Sequence, residues 1–328
     1  MEKRRFGRTG LSVGVLGFGC GAVGGLMTRG PAAEQERAVA RAVELGVNYF
    51  DTASSYGDGE SERNLGRILR LLKPDVVVGT KVRILNAERG RIGEAVAASL
   101  EASLARLGRD SVDLFQLHNV ITTAGAAPDL SVAQVLDEVA PALARLRAQG
   151  KTRFVGITGI GEAAALRQVV ESGTMDTAQV PYNLLNPSPM RALPPGYPAH
   201  DFGQLMRHCQ RADMGVIGIR VLAAGALSGQ AERHPVAMQE VAPIGTAADY
   251  ATDLGRARRL LPLVQEGHAG NLVEAAIRFA ISADAMSTVL VGIASQEQFE
   301  IAAAAAAKGG LPAGALARAA ALQDALAG

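Results

Sequence analysis

The chain contains no tryptophan and two cysteines, and only 4% of its residues are aromatic. Cys20 and Cys209 cannot build a disulfide framework, and so few cysteines favour a reducing, cytoplasmic setting. With so few aromatics, a large aromatic cage around a ligand is disfavoured. Neither sign of charge is in excess: 33 basic residues face 32 acidic ones, a formal net charge of +1. That balance argues against a polyanion-binding surface, and so against a nucleic-acid partner. No stretch approaches the roughly 18 consecutive apolar residues of a membrane span, and the basic, polar N-terminus does not read as a signal peptide. Metal-ligand spacings are missing too. His118, His200, His208, His234, His268 and the cysteines form no HExxH or paired CxxC pattern, and no GxSxG elbow occurs.

What is present is a large apolar content, 48% of 328 residues, arranged in a recurring unit. Short runs rich in Val, Ile, Leu and Phe alternate with longer helix-like segments, the pattern of parallel strands joined by crossover helices. The runs lie at 13–19, 47–50, 76–80, 112–117, 153–157, 177–180, 216–219 and 288–292. Helical segments follow at 32–45, 60–72, 91–107, 132–148, 162–172, 202–212, 272–281 and 296–308, and Gly46, Gly108, Gly150, Gly173 and Gly309 stand where left-handed caps would end five of them. Eight such pairs spell a (β/α)8 TIM barrel, a single domain over residues 1–328. Three stretches fall outside the repeat: a hairpin at 3–13 that would plug the barrel, a lengthened loop at 119–130 after the fourth strand, and an insertion at 222–270 after the seventh. Within that insertion 247–261 reads as an extra helix, and 311–326 as a closing helix. Long loops after barrel strands stand over the active face.

The residues that end the strands are the informative ones. Strand two ends in Asp51, strand three in Lys81, strand four in His118 and strand five in Thr158, and a parallel barrel gathers these ends on one rim. A carboxylate there needs a cation or donors, and Lys81 is its natural partner. Tyr56 follows Asp51 on the same loop. A phenol is a poor acid near neutrality, but an adjacent ammonium stabilises the phenolate and is expected to lower its pKa by about 1 to 3 units. Neutral His118 would then position a carbonyl oxygen, with Tyr56 aimed at the developing alkoxide.

On these residues the chain resembles the aldo-keto reductases, over nearly its whole length. The matching pieces are Gly17-Phe18-Gly19-Cys20-Gly21, Phe50-Asp51-Thr52-Ala53 with Tyr56-Gly57, Gly59-Glu60-Ser61-Glu62, Gly79-Thr80-Lys81, Asp113-Leu114-Phe115-Gln116-Leu117-His118, Gly156-Ile157-Thr158 and Gln179 with Tyr182-Asn183. The resemblance implies an oxidoreductase that uses NADP or NAD to interconvert aldehydes or ketones with alcohols, or a sugar dehydrogenase running in the oxidative direction. Its partner would be a small carbonyl compound or sugar. Tyr56 would be the general acid or base, Lys81 and Asp51 its tuning pair, and His118 the orienting group. A sensor that binds the nicotinamide without turnover is the alternative from another class; it has no need of the general acid.

The resemblance also implies cofactor contacts along Gly19 and Cys20, at Thr158 and Gln179 for the carboxamide, at Ile219, Arg220 and Leu222 after strand seven, and at Gly292, Ile293, Ser295 and Gln298 after strand eight. The chain departs from the family pattern at several of these. Gly159 stands where Asn is usual, Ile219 replaces a stacking aromatic, and Ala302 replaces Asn. From Gly292 to Gln298 there is no basic residue to meet a 2′-phosphate, so NADH is expected to be usable. The run Gly19-Cys20-Gly21-Ala22-Val23-Gly24 fits the dinucleotide fingerprint literally, but the helix is expected only near Ala32 and no acid follows at the required spacing, so it reads as a rim loop.

Overall fold

A computed structural model describes residues 1–327. Twelve strands are formed: β1 (Lys3–Arg5), β2 (Ser12–Gly14), β3 (Leu16–Gly19), β4 (Tyr49–Asp51), β5 (Val77–Val82), β6 (Val112–Leu117), β7 (Ile121–Thr122), β8 (Leu130–Ser131), β9 (Thr152–Thr158), β10 (Thr177–Pro181), β11 (Gly215–Ile219) and β12 (Thr288–Gly292). Eight of them, β3, β4, β5, β6, β9, β10, β11 and β12, close into a parallel barrel in chain order. Helices follow the strands, as the TIM-barrel reading requires, and the five glycines assigned to helix ends all have positive φ.

Two layers of apolar side chains result from strand alternation. Leu16, Phe18, Phe50, Val78, Phe115 and Ile157 point outward into the main core beneath the helices. Tyr49, Val77, Leu114, Ile217 and Leu290 point into the barrel, where Phe6 and Val13 of the N-terminal hairpin meet them. The hairpin is thus a plug, with β1 antiparallel to β2 and the Phe6 ring 5.7 Å from that of Tyr49. A Cβ on Gly215 would lie 2.5 Å from the Phe6 ring, so the plug seats only because that position has no side chain.

The structure corrects a few boundaries. The apolar run 13–19 serves two sheets: Val15 donates its N–H to Glu2, which leaves Val13 in the hairpin and starts the barrel strand at Leu16. The loop 119–130 contributes to a small parallel pair, β7 with β8, rather than being wholly irregular. The helix at 132–148 widens by a π turn at Val135–Val139, just before Pro141, whose ring cannot accept a regular preceding turn. The extra helix of the insertion is shorter than expected, Tyr250–Arg258, capped by Asp249 through Thr252 N–H at 2.7 Å. No helix among the described residues is long and apolar enough to cross a membrane.

Candidate active site

At the C-terminal rim Asp51, Tyr56, Lys81 and His118 do meet. Lys81 Nζ donates to Asp51 Oδ1 at 2.5 Å, to the Thr52 carbonyl at 2.7 Å and to Tyr56 Oη at 3.3 Å, which uses all three of its protons. The His118 ring stands edge-on to Tyr56, centroids 5.7 Å apart at 84°. Backbone bonds fix these positions: His118 N–H donates to Val82, and Tyr56 sits in a turn closed by its N–H on Ala53.

Asp51 is better held than the sequence suggested. Its Oδ2 accepts from Tyr49 Oη at 3.0 Å and from Gln179 Nε2 at 2.6 Å, so a buried carboxylate has a cation and two further donors. Tyr49 is a residue that sequence reasoning missed, although its place two positions before Asp51 on one strand puts both on the same face. Gln179, which the resemblance gives to a nicotinamide carboxamide, has its side chain inside the barrel, where its amide nitrogen donates to Asp51. Behind the rim a second buried network steadies the neighbouring outward residues: Thr52 Oγ1 meets Ser61 Oγ at 2.7 Å, Thr80 Oγ1 donates to Glu62 at 2.5 Å, and Arg106 pairs with the other Glu62 oxygen at 2.6 Å.

The electrostatics follow from this packing. Burial pushes the Asp51 carboxyl up, and Lys81 with its other donors offsets this only partly. Burial works against the Lys81 charge as well, but Asp51 and then Tyr56 outweigh it and the ammonium is held above its ordinary value. The Tyr56 phenol is also raised, which corrects the expected lowering: desolvation exceeds the pull of Lys81. Tyr56 therefore keeps its proton at neutral pH. His118 is pushed down to about 3 by burial and by the charges of Lys81 and Arg83, so its ring is neutral there.

Beside this set lies a cavity of about 480 Å³ between the ends of β11 and β12. Arg220, Leu222, Gly292, Ile293 and Gln298 line it, as do Ala302 and, from the insertion, Glu232, Arg233 and His234. The remaining expected cofactor residues do not. Cys20 is wholly buried below the rim, and Gly19 forms the end of β3. Ile219 packs with the barrel interior. Ser295 accepts from Gln298 N–H as the N-cap of the helix Gln296–Ala307, and the Gln298 side chain turns back to accept from Ala294 N–H. Thr158 stands inside the rim with its hydroxyl buried and unpartnered, which suits a polar group arriving from above. The groove and this orphaned hydroxyl fit a nicotinamide dinucleotide.

The glycine run behaves as a rim loop. Gly24 lies so close to the chain after β12 that a Cβ there would fall 2.3 Å from Ile293 N, and Leu26 N–H donates to Ile293. One turn of helix, Leu26–Arg29, starts earlier than expected, and the full helix begins at Ala32. Among the described residues no cluster of three His, Cys, Asp or Glu has metal-ligand geometry.

Comparison with known proteins agrees with this architecture. The chain is 29% identical over 311 residues to the L-galactose dehydrogenase of Arabidopsis thaliana, covering 92% of this chain and 86% of that protein. It is 27% identical over 336 residues to the pyridoxal 4-dehydrogenase of Microbacterium luteolum, covering 90% of each. The holo form of the aldo-keto reductase AKR11C1 from Bacillus halodurans superposes with a TM-score of 0.72 at 24% identity, over 98% of this chain and 96% of that one, a likeness of fold. The sequence pattern of the Aldo/keto reductase family matches residues 15–323, and with the closed barrel this places the chain in the aldo/keto reductase family of NAD(P)-dependent oxidoreductases.

Proposed function

We propose that the protein interconverts a small carbonyl compound or sugar with the corresponding alcohol or lactol oxidation product, Tyr56 being the proton donor and acceptor. The observation that carries this is the placing of Lys81 Nζ between Asp51 and Tyr56 Oη, with His118 across from the phenol. The bound nicotinamide supplies or accepts the hydride. In reduction, neutral His118 donates a ring N–H to the carbonyl oxygen, and Tyr56 gives its proton to that oxygen as it becomes an alkoxide. Lys81, kept charged by Asp51, stabilises the phenolate left behind. In oxidation the phenolate takes the proton back, and because the phenol pKa is raised that form is reached only as the pH turns alkaline. Relatives named for dehydrogenation of L-galactose, and a D-threo-aldose 1-dehydrogenase of Pseudomonas sp that is 32% identical over 213 residues, support the sugar direction. The test is Tyr56→Phe, which removes one hydroxyl: turnover should fall by about 10² to 10⁴ while cofactor binding persists. Retention of more than about a tenth of the activity would refute the assignment.

NADH is proposed to be used at least as well as NADPH. No basic residue lies between Gly292 and Gln298, Ser295 and Gln298 are occupied by helix capping, and Glu232 adds a carboxylate to the groove. Arg233 also lines it, but its guanidinium is engaged with the Met238 and Ala224 carbonyls and over the Tyr250 ring. A missing charge-assisted contact costs about one to two decades in affinity. Equilibrium titration with both reduced cofactors at one ionic strength decides the matter, and a preference for NADPH above about a hundredfold would overturn it.

A further inference from the structure

The rim beside His118 carries a cation with no counterion. Arg83 lies two residues beyond Lys81, just past the end of β5, and its side chain is exposed. Its backbone position is fixed on both sides. Val82 before it accepts the His118 N–H at 2.8 Å. Ile84 after it exchanges two bonds with the buried Asn119 side chain, its N–H donating to Oδ1 at 2.8 Å and its carbonyl accepting from Nδ2 at 2.9 Å. Arg83 is thereby pinned alongside the segment that bears His118.

Arg89, the partly buried arginine of the same loop, is occupied: it donates to the Asp129 and Gly125 carbonyls and to Gln134. The one carboxylate of the turn, Glu88, accepts from Leu85 N–H. Among the described residues no acid pairs with Arg83; the ion pairs they form all join other side chains. Arg220, whose charge is near enough to Tyr56 to interact, likewise has no carboxylate partner among them and only the Ala242 carbonyl at 3.3 Å. Arg83, which follows β5, and Arg220, which follows β11, thus put unpaired positive charge on opposite sides of the rim, Arg83 on the side of His118.

We propose that Arg83 recognises an anionic group, a carboxylate or a phosphate, carried by the substrate a few atoms from the reacting carbonyl. A guanidinium fixed at its backbone and free at its tip suits either anion, because its fork of N–H donors matches two oxygens at once. This rests on the reading of Tyr56 and His118 as the carbonyl site and adds the substrate class to it. Since the contact is exposed, it is also screened by salt.

The experiment uses matched pairs of aldoses with the full-length protein and saturating reduced cofactor: D-erythrose 4-phosphate against D-erythrose, and D-glucuronate against D-glucose. At low salt at least one anion should be preferred by about tenfold to a hundredfold in kcat/KM, the loss of one charge-assisted contact read as affinity. In Arg83→Gln that ratio should fall by about tenfold, mostly through KM, and Arg83→Lys should restore part of it. Which pair shows the preference identifies the anion as phosphate or carboxylate, and either supports the proposal. Turnover of the neutral sugars with no anion preference, or a ratio unchanged in Arg83→Gln, overturns the proposal and leaves the Tyr56 reading standing. If none of the four is turned over, the Tyr56 reading stays with its own Tyr56→Phe test, and calorimetric titration of D-glucuronate against D-glucose judges Arg83: equal binding, or a preference that Arg83→Gln leaves intact, overturns it.

Discussion

Replacing Tyr49 by Phe removes one hydroxyl from beneath the proposed catalytic set and nothing else of its size. The ring keeps its place against Phe6, 5.7 Å away, so the change isolates the 3.0 Å bond to Asp51 Oδ2. A hydrogen bond to a charged group contributes about 1.5 to 3 kcal/mol. Part of that is offset because the buried hydroxyl itself disappears, which leaves a net loss of about 1 to 2 kcal/mol and a drop in Tm of roughly 2 to 4 °C. The effect on chemistry runs through Lys81. With one donor fewer, Asp51 draws more strongly on the ammonium, and Lys81 has less charge to share with the Tyr56 phenolate. The Tyr56 pKa should rise further, so the pH profile of alcohol oxidation moves to higher pH and oxidation at neutral pH slows. Reduction at neutral pH, which needs the protonated phenol, should change less. Profiles in both directions, with cofactor affinity as the control, make the test. An unshifted oxidation profile together with a Tm change below about 1 °C would show that Lys81 and Gln179 hold Asp51 by themselves and that the argument is wrong.

Two further outcomes follow from the same geometry. Lys81→Met leaves Asp51 as a buried charge without its cation, so stability should fall by about 3 to 5 kcal/mol alongside the loss of activity, and denaturant midpoints equal to those of the parent would contradict the pairing. His118 is held neutral, pushed down to about 3, whereas an unfolded histidine titrates near 6.5. Between these values the unfolded chain binds more protons, so the His118 contribution is intact above about pH 6.5 and is lost as pH falls toward 3, by at most about 1.4 kcal/mol per unit. His118→Gln should flatten that part of the stability profile, and parallel curves for parent and variant from pH 7.5 to 5 would count against the neutral buried ring.

The barrel is legible in the sequence because its signals are local and repeated. Each strand is a short apolar run and most helices stop at a glycine that the structure indeed puts at positive φ, so the eight strands can be counted from the residues alone. Asp51, Lys81 and His118 are legible for a related reason: closure of a parallel barrel turns strand ends into neighbours whatever their separation in the chain. Strand alternation carries further still. It places Tyr49 on the face of Asp51, and Lys81 and Gln116 side by side in register, both inside the barrel.

What a strand end does not reveal is which way a polar side chain turns once several donors compete for one acceptor. Gln179 is expected at a carboxamide, and the turn of its amide nitrogen onto the buried carboxylate of Asp51, a strong acceptor within reach, is what the strand end alone does not show. The groove beside β12 fails to show in local sequence for a different reason. Apart from Arg220, which directly follows β11, its charged lining of Glu232, Arg233 and His234 comes from an irregular insertion, while the residues that follow β12 spend their polar atoms capping a helix. Such a loop has no periodicity to read, so its side chains are placed by tertiary contacts such as Arg233 on Tyr250 and on the Ala224 carbonyl. The chemistry of the site is therefore written in the strands, and the choice of what it acts on in the loops that stand over them.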